Sequence, residues 1–167
     1  MKDFTFDEQL HSSSREEIRN ILISTGSFSM HEIEVAIDLA GENLEKGSSR
    51  SGYFFVQARD ESGRMAGFTC FGPIPCSLYS YDLYWIAVRG DCQGIGLGRK
   101  LYLKTEQQIV NRKGRKIYAE TSGREDYHQA RRFYQSLGFK KVCRLEDFYA
   151  PGDDKIIYEK DLPIDLS

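Results

Sequence analysis

Residues Gln93-Gly94-Ile95-Gly96-Leu97-Gly98-Arg99 place three glycines at alternate positions ahead of an amphipathic run. Glycine in such a spacing lets the backbone take positive φ and come close to a ligand. Upstream, Leu83 to Val88 is apolar and β-prone, so the pattern predicts a strand, a glycine turn and a helix. At that junction the first-turn N–H groups and the helix dipole both favour an anion. A plain connection would need one glycine. A dinucleotide site needs G-x-G-x-x-G within a repeated βαβ array, with an acid about 20 residues on. Here the spacing is G-x-G-x-G and a single crossover is expected. A Walker loop needs Gly-Lys-Ser/Thr, which does not follow.

The elements that must position this turn follow from periodicity. Phe4 and Phe6 alternate with polar residues and suggest a short edge strand. Ser13-x-x-Glu16, Ser14-x-x-Glu17 and Ser29-x-x-Glu32 are capping-box patterns opening two helices. The first ends near Gly26. The second carries Ile33, Ala36, Ile37, Ala40 and Leu44 on one face and stops at Lys46-Gly47. Tyr53 to Ala58 and Arg64 to Phe71 read as a hairpin about Asp60-Glu61-Ser62-Gly63. Gly72-Pro73-Ile74-Pro75 interrupts the pattern, and a strand runs from Leu78 to Val88. The helix after the turn carries Leu97, Leu101, Thr105 and Ile109 on one face and ends at Arg112-Lys113-Gly114. Strands at Arg115 to Thr121, Phe139 to Tyr149 and Lys155 to Lys160, with a helix over Ala130 to Leu137, complete the chain. The expected fold is α/β (α+β): one domain over 1–167, with a mixed, largely antiparallel central sheet, one parallel βαβ crossover and helices on both faces.

The glycine turn, together with Ala130-Arg131-Arg132-Phe133-Tyr134-Gln135-Ser136-Leu137-Gly138-Phe139, resembles the GNAT superfamily of N-acetyltransferases. The turn matches that family's Q/R-x-x-G-x-G/A signature, and the second segment matches its A-x-x-F-Y-x-x-x-G-F junction. The resemblance covers Ser14 to Leu162 and is most specific from Tyr81 to Phe139.

The resemblance implies acetyl-CoA as co-substrate and no metal. It implies that backbone N–H groups of Gln93, Gly94, Ile95, Gly96, Leu97, Gly98 and Arg99 hold the coenzyme pyrophosphate. The strand backbone at Ile86, Ala87 and Val88 would pair with the pantetheine arm, a strand N–H polarising the thioester carbonyl. Acetyl would pass directly to a primary amine, which must lose a proton to attack. Tyr134 matches the family tyrosine that protonates the leaving thiolate. Glu120, at a position resembling the base of ribosomal-protein alanine N-acetyltransferases, and Asp82, where histone-type members place a glutamate, compete as base. Arg131 reaches a coenzyme phosphate or lines a helix face. The chain departs from the family where Tyr127 replaces an asparagine seven positions before the tyrosine, and in the longer segment 121–126. Asp147 to Asp154 resembles the tyrosine-plus-acidic hairpin of N-terminal-acetylating members.

Composition sets the outer bounds. The chain has 167 residues, 40% hydrophobic and 29% charged, with a net charge of −2. That suits one globular domain and argues against phosphate-driven nucleic-acid binding. No apolar run approaches the roughly 20 residues of a membrane span, and no signal-peptide pattern opens the chain, so a cytoplasmic place is expected. Cys70, Cys76, Cys92 and Cys143 form no Cys-x-x-Cys pair and read as free thiols. The expected partner is a small-molecule amine or a peptide N-terminus, with a homodimer left open and neither nucleic acid nor membrane. A non-catalytic acyl-CoA sensor and a nucleotide-binding interaction domain are the alternative readings.

Overall fold

The computed structural model describes residues 3–163. Seven strands and five α-helices follow in the order β1 Thr5–Asp7, α1 Ser14–Thr25, α2 Met30–Lys46, α3 Ser48–Ser51, β2 Phe54–Arg59, β3 Met65–Pro73, β4 Ser80–Val88, α4 Leu97–Asn111, β5 Lys116–Ser122, α5 His128–Ser136, β6 Lys140–Ala150 and β7 Asp153–Asp161. Sheet order is β1-β2-β3-β4-β5-β7-β6. β4 and β5 are parallel, from Ser80↔Lys116 to Leu83↔Ala119, whereas β1–β2, β2–β3, β5–β7 and β6–β7 are antiparallel. The expected mixed sheet with one parallel crossover is present, including the short edge strand near Phe6.

The chain clusters into two compact units. One is Met1–Gly72 with Trp85–Gln107; the other is Pro73–Tyr84 with Gln108–Ser167.

In the first unit, α2 opens on a complete capping box. Ser29 accepts from the Glu32 N–H, and Glu32 accepts from the Ser29 N–H at 2.7 Å. This contributes about 1 kcal/mol. The boxes expected at α1 do not form: Ser13 makes no side-chain cap. Glu17 is drawn instead to Arg59 at 2.9 Å and to the Met65 N–H at 3.0 Å, so a tertiary ion pair overrides the local cap. On α2, Leu44 is exposed and Asn43 is buried. The Asn43 amide donates to Ser48 Oγ and to the Tyr53 carbonyl, which ties α2 to the short helix α3. The α4 face is as expected, with Leu97, Leu101, Thr105 and Ile109 all buried.

Gly67 of β3 sits where an added Cβ would lie 2.8 Å from Leu101 Cδ1 and 2.9 Å from the Ala87 carbonyl. Only glycine lets β3, the end of β4 and α4 approach so closely.

In the second unit, the left-handed residue closing α4 is Lys113, φ 65°, and not the expected Gly114. Gly114 serves packing instead, since a Cβ there would collide with Ile109 and Tyr81. Helix α5 ends at Gly138, φ 89°, as its sequence predicts. β6 is the sheet edge and is exposed along nearly its whole length. None of the four cysteines is in a disulfide among the described residues.

Candidate active site

Each unit carries one part of the expected machinery. In the first, β4 ends at Val88, a 3₁₀ turn covers Gly90–Cys92, and α4 starts at Leu97. Arg89 fixes this junction. Its backbone N–H donates to the Ala66 carbonyl at 2.8 Å, and its guanidinium donates to the Met65 carbonyl, Asp60 and Asp91 at 2.9, 2.8 and 2.6 Å. The Ser62 hydroxyl and this guanidinium hold the Asp60 carboxyl far below its usual range. The Gly90 N–H donates to Ser24 Oγ at 3.1 Å, securing the turn to α1. Cys92 is fully buried beside Arg89, a packing position.

Gly94 and Gly96 have φ of 75° and 82°, and nothing lies within 4 Å of a Cβ built on either. The turn therefore opens to solvent on the side where a side chain would stand. Gln93 through Gly96 are exposed, Leu97 is buried, and Gly98 lies inside the helix with ordinary backbone. The Gln93 amide folds back on the strand, donating to the Val88 carbonyl at 3.1 Å. The Lys100 N–H donates to the Gly96 carbonyl at 3.2 Å, so Gly96 is the first residue of the helical ladder. In a helix so begun, the Leu97 and Gly98 amides point toward the turn. Of the strand residues, Ala87 is buried while Ile86 and Val88 are half-buried. Trp85 packs edge-on against Phe28 at 5.2 Å. An open cradle of positive-φ glycines at a helix start fits a pyrophosphate group.

In the second unit, the parallel register sets Asp82 opposite Tyr118, and Glu120 follows two residues on. Side chains alternate along strands, so Asp82 and Glu120 share one sheet face. Lys155 of β7 reaches the same face, and its Nζ lies 2.6 Å from Glu120 Oε2 and 4.4 Å from the Phe148 ring centroid. Glu120 is half exposed; Asp82 is half-buried. Burial, and next the Glu120 charge, push the Asp82 carboxyl up to about 6, against the opposing pull of Lys155.

Tyr134 is 7% exposed, in a ring cluster with Phe139 at 5.5 Å and Tyr158 at 5.8 Å. Burial pushes its phenol up to about 12. Arg131 donates through Nη1 to the Ser122 and Arg124 carbonyls at 2.9 and 2.7 Å, which pins the segment between β5 and α5. The hairpin acids hold their own loop together. Asp154 takes Arg144 at 2.5 Å and the Asp147 N–H at 2.9 Å, Asp147 takes the Gly152 N–H at 2.6 Å, and Asp153 takes the Ser122 hydroxyl.

The structure thus gathers Asp82 and Glu120 on one face and adds Lys155, which sequence reasoning missed because only the β5–β7 register brings it near Glu120. Arg89 was also missed. Its signal was a lone basic residue between the strand and the glycine turn.

This fold and these parts define an acyltransferase class, and comparison with known proteins gives the family. Residues 16–139 match the Acetyltransferase (GNAT) family model. A solved protein of Desulfovibrio desulfuricans, assigned to the GNAT family of acetyltransferases, is 40% identical, with a TM-score of 0.91 over 95% of this chain and 99% of that one. The chain belongs to the GNAT family and is an N-acetyltransferase. The fold is shared at lower identity with the Escherichia coli ribosomal-protein-S18-alanine N-acetyltransferase (20% identity, TM-score 0.75, 99% of each chain). It is shared too with an aminoglycoside 6'-N-acetyltransferase solved with coenzyme A (16% identity, TM-score 0.74, 95% of this chain and 98% of that one). No curated protein matches the chain. Among the described residues no helix is long and apolar enough to cross a membrane.

Proposed function

We propose that the chain, acting as a single domain, transfers acetyl from acetyl-coenzyme A directly to a primary amine of a small molecule or a protein N-terminus. The observation that carries the donor assignment is the open cradle formed by Gly94 and Gly96 at the start of α4. Residues Gln93 to Arg99 hold the pyrophosphate through backbone N–H groups, and the β4 backbone at Ile86, Ala87 and Val88 aligns the pantetheine arm. When bound, acetyl-coenzyme A supplies the acetyl group as an activated thioester.

Asp82 is the better of the two bases. Its raised carboxyl titrates near the working pH, where a general base is most effective. Glu120 is already committed to Lys155. Asp82 accepts the proton that the ammonium acceptor must lose, freeing the nitrogen lone pair for attack. Tyr134 stays protonated across the physiological range and donates its hydroxyl proton to the departing sulfur. The proton held by Asp82 is returned to solvent, and the second proton, shed by the acylated nitrogen as the tetrahedral intermediate collapses, restores the Tyr134 hydroxyl. Arg131, bound to two carbonyls, supports the segment before α5 and lines that helix face.

The test is thiol release from acetyl-CoA in the presence of a panel of peptides with free N-termini, polyamines and aminoglycosides, with products identified by mass. Release that depends on one acceptor class, with a mass gain of one acetyl group, supports the reading. Coenzyme binding with no turnover for any amine points to the sensor instead.

A further inference from the structure

Apart from the acetyl-transfer residues, the second unit contains a cleft of 360 Å³ between α5 and the β6–β7 pair. On α5 the residues lining it are His128, Arg131, Arg132 and Gln135, at i, i+3, i+4 and i+7, so they form one stripe of the helix. The same helix turns Tyr134 toward Tyr158, so the stripe lies beside the buried face. On β6, Lys141 and Arg144 line the opposite wall, registered with Tyr158 and Ile156 on β7.

Two separate elements therefore present cations to one concavity. Four permanent positive charges line it against one carboxylate, Asp154, whose oxygens are engaged by Arg144 and the Asp147 N–H. Glu125 lies 4.0 Å from His128 but is almost fully exposed. Among the described residues, the side chains of Arg132 and Lys141 make no hydrogen bond or ion pair, and the Lys141 charge acts on Asp154 only at longer range. Facing rows of like charge raise the energy of the free protein, and a bound anion relieves it. The chain as a whole carries a charge of −2, so this concentration of cations is local.

We propose that this cleft binds a compact phosphate-bearing small molecule with at least two negative charges. The volume lies within the roughly 300–1,000 Å³ typical of small-molecule sites and is small for a macromolecular partner. Guanidinium forks match phosphate oxygens in pairs, and three of the four cations are arginines. Ile156 and Tyr158 supply an apolar floor for the body that carries the phosphate.

The experiment titrates inorganic tripolyphosphate into the full-length protein at low ionic strength and follows backbone amides by two-dimensional ¹H–¹⁵N spectra. Saturable shifts at residues 128–135 and 141–144 are expected. The double variant Arg132→Glu, Lys141→Glu should weaken that binding at least tenfold. A control with the same charge change at distant exposed sites, Arg50→Glu with Arg64→Glu, should stay within about twofold at low salt. Shifts confined to Gly94–Arg99, or equal weakening in both double variants, overturn the proposal.

Discussion

Lys155 Nζ lies 2.6 Å from Glu120 Oε2, on the sheet face that also carries Asp82, so one ammonium compensates one of two neighbouring carboxylates. Burial, and next the Glu120 charge, give the other carboxyl a raised affinity for its proton, which Lys155 only partly offsets.

The two carboxylates are separable by pH profile. With Asp82 as base, turnover rises as pH increases through about 6. Asp82→Asn should lower turnover by about 10²-fold or more. Glu120→Gln removes a like charge, so it should keep most activity and move the acidic limb to lower pH. Lys155→Met removes a favourable charge and should move that limb to higher pH, with Lys155→Arg restoring it. Loss of turnover in Glu120→Gln, with Asp82→Asn active, would reverse the assignment.

Asp82 also makes a stability prediction of opposite sign to an ordinary carboxylate. Its folded-state value of about 6 lies above the usual 3.8, so the folded chain binds more protons between those limits. Its charge therefore destabilises the fold above pH 6, and that penalty fades as pH falls toward 4. Asp82→Asn should raise the melting temperature at pH 7.5 and change it little at pH 4. Equal effects at both pH values would contradict this.

Tyr134→Phe keeps the ring contacts with Phe139 and Tyr158 and removes only the hydroxyl. Turnover should fall while coenzyme A affinity, followed by calorimetry, stays within about twofold of wild type. Unchanged turnover removes Tyr134 from the acid role.

Gly96→Glu should abolish coenzyme A binding, because a carboxylate would enter the open cradle and a side chain is disfavoured at φ 82°. Arg89→Met should weaken binding without touching the ligand, through release of the turn from Met65, Asp60 and Asp91. It should also lower the melting temperature. Wild-type affinity in both variants would remove the glycine turn from the coenzyme site.

Gly67→Ala and Gly114→Ala should each destabilise the fold by about 1–3 kcal/mol in urea unfolding, because each added methyl meets packed atoms. A control at Gly63, a turn glycine with nothing within 4 Å, loses only what its φ of 80° imposes.

The order of elements, the glycine turn and the tyrosine junction were legible in the sequence, because each is a local rule. Periodicity of 2 and 3.6, the Ser29 cap and the alternate glycines act over a few residues, and tertiary contacts reinforced them. Where a local rule met a stronger distant partner it failed. Glu17 left the Ser14 cap for Arg59, and Gly114 yielded the left-handed position to Lys113 because its own place was set by Ile109 and Tyr81. The residue types of the proposed site, Asp82, Glu120 and Tyr134, were likewise visible as candidates. Their proposed division of labour was not, because it depends on strand register: β7 brings Lys155 to Glu120 across 35 residues of chain, and burial together with the Glu120 charge separates the proton affinity of Asp82 from that of an ordinary carboxylate. Charge and type are written along the chain, whereas proximity and desolvation arise only when the sheet closes.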